Sequence, residues 1–265
     1  MAAVVARPGI PKWLSDHCDR LQDEESQIQN LNLNIRRLNV DMIHALCDAL
    51  MKNNDIETIN LTSALFQDQE RGLVPLMKVL RKHPSLRAIH LSYNRLRHVH
   101  AIEKPLRSND TQLRELYLDY NRLNCDTAMS LANVLKHNTK LTVLQLNSNR
   151  IGDVGGEAIA LAMKDNTTLK FLGMRSNQLG KRTANAMFSS LRTNMSLTTL
   201  QIDKNPDLKE SVPLLTHIVQ SNRAGRYLLG QKDAVPHSLW TLIFQQLECD
   251  MLFFFLSEHP ELVMR

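Results

Sequence analysis

Leucine and isoleucine recur along the chain with a spacing that belongs neither to a lone helix nor to a lone strand. In residues 113–124, LRELYLDYNRLN, leucines stand at 113, 116, 118 and 123, with asparagine at 121. The same frame begins at Ile28, Ile56, Leu86, Leu113, Leu141, Leu169 and Leu197, at intervals of 28, 30, 27, 28, 28 and 28 residues. Its consensus is L-x-x-L-x-L-x-x-N-x-L, as in LRAIHLSYNRL, LTVLQLNSNRI and LKFLGMRSNQL. The L-x-L part alternates with period two and predicts a short strand with one face buried. The residues that follow switch to helical spacing. In 155–166, Ala158, Ile159, Ala162 and Met163 fall on one face; in 126–138, Met129, Leu131, Ala132 and Leu135 do the same, with Asp126 placed to cap the start. Each repeat is therefore one strand plus one helix. A single repeat cannot bury its apolar face, whereas a stack makes a continuous core. The expected class is α/β, a curved solenoid of about seven repeats with a parallel sheet on the concave side and helices on the convex side.

These seven in-register frames resemble the leucine-rich repeat, in its ribonuclease-inhibitor-like subtype with a helix in each repeat. The subtype occurs in the sensor regions of NOD-like receptors, in Ran GTPase-activating proteins and, in shorter form, in tropomodulins. The resemblance spans about residues 28–222. It implies a non-enzymatic protein-interaction scaffold that binds a protein partner on its concave face, and it names no partner. A GTPase-activating role, with Arg36, Arg37, Arg95 or Arg122 at the rim, is one alternative. Such proteins carry more repeats and an acidic tail, which this chain lacks.

Five frames place asparagine at the strand-to-loop turn: Asn94, Asn121, Asn149, Asn177 and Asn205. Its amide offers donors and an acceptor to backbone groups of neighbouring repeats. Repeats one and two put Arg36 and Ala64 there instead, so they should be less regular. Pro206 after the last asparagine suggests that the array ends there.

Residues between and beside the leucines should face solvent on the inner wall, with equivalent positions of adjacent repeats about 5 Å apart. Three of the four tyrosines fall in repeats three and four: Tyr93, Tyr117 and Tyr120. Tyr93 and Tyr120 hold the same repeat position, each followed by Asn and then by Arg95 or Arg122, with Arg150 one repeat on. Tyrosine and arginine are enriched at interface hot spots. The candidate partner-binding patch is therefore Tyr93, Tyr117, Tyr120, Arg95 and Arg122, surrounded by Asp119, His90, Gln145, Phe171 and Arg175. The plainer alternative for the arginines is surface coverage by their aliphatic stems.

Of 265 residues, 43% are hydrophobic, so a sizeable core is available. The net charge of +5 is diffuse and does not argue for nucleic acid. The four cysteines are scattered without metal spacing, so reduced thiols and a cytoplasmic location are expected, with the nucleus left open. The apolar run at the N-terminus is too short for a signal peptide, and MLFFFL at 251–256 is too short to span a bilayer. His98 and His100 form H-x-H after the strand, with no third ligand in register, and no nucleotide or nucleophile motif is present. No cofactor, metal, membrane or nucleic acid is expected, and the chain should be a monomer. Residues 1–27 read as an N-terminal helical cap, with Trp13, Leu14, His17, Cys18 and Leu21 on one face. Residues 223–265 read as a C-terminal cap or docking helix. Within them VPHSLWTLIFQQL weakly resembles the start of an F-box, which gives a second alternative, a ubiquitin-ligase adaptor.

Overall fold

Each L-x-L triplet forms a strand, and each helical stretch returns the chain to begin the next one. The structure is a computed structural model that describes residues 9–23, 27–64 and 69–223. Helix α1 (Lys12–Gln22) opens the fold. Seven strand–helix units follow: β1 (Asn30–Asn32) and α2 (Val40–Leu50), β2 (Thr58–Asn60) and α3 (Gln69–Lys82), β3 (Ala88–His90) and α4 (His100–Arg107), β4 (Glu115–Tyr117) and α5 (Cys125–His137). Then come β5 (Val143–Gln145) and α6 (Gly152–Ala162), β6 (Phe171–Gly173) and α7 (Lys181–Leu191), and β7 (Thr199–Gln201) and α8 (Val212–Arg223). The strands form one parallel sheet in chain order, and equivalent repeat positions pair without slip, as in Ile89↔Leu116 and Leu116↔Leu144. Strands lie about 4.8 Å apart, whereas packed helices need 8–10 Å. The sheet therefore becomes the inner wall of a leucine-rich-repeat solenoid.

The core is a single column of buried side chains running from Leu14 to Val219. In α5 it takes Ala128, Leu131, Ala132 and Leu135, while Met129 is 44% exposed on the outer surface, contrary to the face assigned from spacing. Asp126 is not the cap of that helix either. Asn124 is, its side chain accepting from the Thr127 N–H at 3.1 Å, and Asp126 lies in the first turn. After Asn205 a 3-10 turn over Pro206–Leu208 leads into α8, and β7 is the last strand among the described residues.

The asparagine rungs stand where the frame puts them. Asn149 donates to the carbonyls of Leu118 and Leu146 (3.0 and 2.9 Å) and accepts from the Leu123 N–H (3.1 Å). The sheet stays regular through repeats one and two, but the ladder starts only at Asn94, which reaches back to the Leu61 carbonyl at 2.8 Å. Arg36 instead lays its guanidinium over the Trp13 ring, 5.0 Å from the centroid, and so joins repeat one to α1.

A second ladder runs along the other end of the strands. Asn53, Asn138, Asn166, Asn194 and Asn222 are all buried. Asn166 donates to the carbonyl of Leu135 at 2.7 Å and accepts from the N–H groups of Thr168 and Leu169. Asn53 reaches the Leu21 carbonyl at the end of α1. In repeats two and three His83 and Thr111 occupy this slot. The sequence carries the signal, an asparagine three residues before the first leucine of most frames, as in NTKL, NTTL and NMSL.

Helix α1 buries Leu14, Cys18 and Leu21, and the Cys18 thiol points at the Ala45 carbonyl of α2 (3.7 Å). Cys47 is buried too, and burial first, then Asp48, pushes its thiol up to about 12, so it is an unreactive core residue. The proposed C-terminal cap or docking helix lies outside the described residues.

Candidate functional site

The candidate residues come from β3 to β6 and from the turns that follow these strands. At each turn the chain enters the left-handed region at one repeat position: Ile35, Ser63, Tyr93, Tyr120, Ser148, Ser176 and Lys204 have φ between 53° and 61°. The N–H of each residue from Ile35 to Ser176 still bonds across to the next repeat, as Tyr93 does to the Asp119 carbonyl at 2.9 Å and Tyr120 to that of Asn147 at 2.8 Å. The turn is thus a continuation of the sheet that bends the chain out of it. A bulky side chain is disfavoured in this conformation by its Cβ. Tyrosine nevertheless occupies it twice in succession.

The in-register sheet makes these two tyrosines neighbours. Their rings stack with centroids 4.2 Å apart and 9° between planes, and each residue remains 51% exposed. Next to them, on the inner wall, His90 and Tyr117 pair in register and stack at 4.1 Å and 5°. Four aromatic rings of two adjacent repeats therefore form two parallel stacks. The Tyr117 hydroxyl donates to Glu115 at 2.7 Å, and burial together with this bond raises the phenol well above its usual value. Burial lowers the His90 imidazole pKa, with Glu115 opposing, so the ring is neutral at pH 7.

Behind the tyrosine stack lies an open cleft of about 620 Å3. Its lining includes Tyr93, Arg95, Tyr120 and Arg122, so four of the sequence-derived candidates share one site. Arg150 joins them, as do Ser63, Ser148, Ser176 and Gln178. The latter four were missed by the sequence reading, although they hold the same repeat positions as the tyrosines and arginines.

The remaining candidates lie elsewhere on the wall. Asp119 accepts from the Asn147 N–H at 2.7 Å; burial raises its pKa, and Asn147 opposes that shift. Gln145 continues the His90–Tyr117 column, in register with Tyr117. Phe171 sits in the column of Glu115 and Val143, away from the cleft. Arg175 is paired with Asp203. Of the inner-wall positions expected to face solvent, Ala88, Ser92 and Gly173 are buried. A Cβ on Gly173 would come 2.9 Å from the Asn147 amide, which leans over it.

His98 and His100 stack on one another, and His100 pairs with Glu103. Among the described residues there is no cluster of three or more His, Cys, Asp or Glu side chains suited to a metal. No helix among them is long and apolar enough to cross a membrane.

The family model described as "Leucine Rich repeat" matches residues 137–160, from the end of α5 into α6. No curated protein matches the sequence. Among solved structures, actin-binding site 2 of leiomodin-1 is similar at 14% identity, covering 85% of this chain and 99% of that one, with a TM-score of 0.35. The tropomodulin C-terminal domain of Caenorhabditis elegans is similar at 16% identity over 81% and 98%, with a TM-score of 0.32. An internalin from Listeria monocytogenes is similar at 20% identity over 74% of this chain and 54% of that one, with a TM-score of 0.47. At these values the neighbours transfer no partner.

Proposed function

We propose that this leucine-rich-repeat solenoid is a non-enzymatic scaffold of the ribonuclease-inhibitor-like subtype that binds a partner protein on its inner wall and rim, through repeats three to six. A helix in every repeat and the 27–30 residue period support the subtype. One observation carries the binding face: the paired stacks His90–Tyr117 and Tyr93–Tyr120. Aromatic residues make up only 5% of the chain, yet three of its four tyrosines meet here, in conformations that disfavour two of them. Solvent-facing rings of this kind contribute large contact area at low entropic cost, which is what an interface core needs. Among the described residues the opposite, helical surface exposes apolar side chains such as Met129 and Leu161 but no stacked tyrosine rings.

Site-specific photo-crosslinking in cell extract tests the face. A photoreactive residue at Gln145, on the inner wall, should capture a protein that the same group at Leu161, on the outer helices, does not. Adducts formed only from Leu161 would refute the proposal.

A further inference from the structure

The cleft behind the tyrosine stack has a chemistry that the protein-binding proposal leaves open. Resting on that proposal, we infer that it receives an acidic, extended segment of the partner protein, whose carboxylates pair with Arg95, Arg122 and Arg150.

Charge comes first. Three guanidinium groups line the cleft and, among the described residues, no carboxylate does. Elsewhere on the molecule, Arg81, Arg87, Arg175 and Arg182 each have an Asp or Glu within ion-pair distance. Among the described residues Arg95, Arg122 and Arg150 have none, and all three are exposed. Several surface arginines thus have a counter-charge, whereas the three that share this cleft have none.

Spacing comes second. The three arginines sit on consecutive turns, so their backbones step along the solenoid by the strand spacing of about 4.8 Å. Side chains on one face of an extended peptide repeat at about 6.6–6.8 Å. The long, flexible arginine stems bridge that difference, and a guanidinium grips a carboxylate through two parallel hydrogen bonds. Gln178 and the serine hydroxyls of the cleft supply neutral partners for the peptide backbone.

The surroundings favour a protein over a nucleic acid. One step inward the wall carries Asp119, with Glu115 further across it and Asp203 already paired with Arg175, so carboxylates lie on the wall and guanidinium groups on the rim. A polyanion lying over both would be repelled by the wall, whereas a protein can present carboxylates to the rim and donors to the wall. The exposed tyrosine pair flanks the row and gives the aliphatic part of the bound side chains a surface to lie on.

The test uses the full chain and a fluorescein-labelled peptide of alternating Glu and Ser, read by fluorescence polarisation. The peptide should bind, and its Gln-for-Glu counterpart should not. Arg122→Ala and Arg150→Ala should each weaken binding roughly 3–5-fold, as solvent-accessible ion pairs do, and the double variant roughly tenfold or more. Arg182→Ala, on the outer helices, should change nothing. Tyr120→Asn relieves the left-handed strain and keeps the fold, so weaker binding with an undiminished melting temperature would show that the ring contacts the peptide. Equal binding by wild type and the double arginine variant, no binding at all, or tighter binding of an oligouridylate of equal charge would overturn the inference. Its failure is separable from that of the scaffold proposal. Crosslinks from Gln145 without peptide binding would remove the cleft assignment alone; peptide binding with crosslinks only from Leu161 would remove the inner wall alone.

Discussion

Asn149 concentrates the fold's dependence on one amide. It is 5% exposed and serves four backbone groups in two repeats. Asn149→Ala should cost about 1–3 kcal/mol in urea unfolding, because buried backbone groups lose their partners. Arg36→Ala, at the equivalent position of repeat one, should cost about 1 kcal/mol or less, the value of an exposed cation–π contact. Equal costs would show that Arg36 also serves as a rung. His83 offers the opposite test. It stands in the second ladder's slot, its Nε2 is buried without a hydrogen bond, and burial lowers its pKa against the pull of the Asn53 backbone. The residue before Pro84 must be extended, and Asn138 makes its rung in that conformation (φ −77°, ψ 128°). His83→Asn should therefore gain about 1 kcal/mol. It should also flatten stability against pH. With a folded pKa below 6.5, the unfolded state takes the proton first, so wild-type stability falls as pH drops below about 6.5. The variant should lose the His83 share of that slope and keep the share of His90, which acts in the same direction.

Among elements, α6 and α7 are closely fitted. Asp153, in the first turn of α6, accepts from the N–H groups of Gly180 (2.8 Å), Arg182 (3.2 Å) and Thr183 (2.9 Å) and from the Thr183 hydroxyl (2.8 Å). It caps the N-terminus of the next helix, which has no side-chain cap of its own. Burial alone would raise its pKa, but the bonds from Thr183, Gly180 and Arg182 outweigh this and hold the carboxyl below its usual value. Its contribution is thus full above the unfolded pKa near 4 and is lost as pH falls through the lower folded value. Asp153→Ala should cost about 1–2 kcal/mol at pH 7 and make the acid limb of the stability curve shallower. The cap also fixes Thr183 against Gly156. A helical glycine ordinarily gains from replacement by alanine. Here the new Cβ would run into the Thr183 hydroxyl and come 2.6 Å from Leu179 Cδ2. Gly156→Ala should therefore destabilise the chain by about 1–3 kcal/mol, measurable by thermal or urea melts.

At the scale of the whole molecule, stability is a sum over neighbouring repeats. Between repeats four and five that coupling includes both ladders, through Asn149 to the Leu118 carbonyl and Asn166 to those of Leu135 and Asn138. Cutting both with Asn149→Ala and Asn166→Ala should do more than lower the midpoint. Hydrogen exchange should then show repeats one to four and five to seven opening separately, where each single variant still opens as one unit. A single cooperative opening of the double variant would mean that leucine packing alone couples the array.

The period, the strand and helix of each repeat, the asparagine rungs from Asn94 onward and the adjacency of Tyr93 and Tyr120 were all legible in the chain. They depend on local periodicity, and a 27–28 residue spacing places equivalent residues side by side in a parallel sheet. The second ladder was legible too, as the N-x-x-L that precedes most frames, but it is recognised only once its carbonyl partners in the previous repeat are known. Other features belong to the tertiary structure alone. Met129 points outward and Asn124 caps α5, because the rotation of a helix on the stack is set by its neighbours rather than by its own spacing. Arg175 meets Asp203 and Arg36 meets Trp13, whereas Arg95, Arg122 and Arg150 meet no carboxylate among the described residues. Which charge finds a counter-charge depends on distances across repeats, and composition does not contain them.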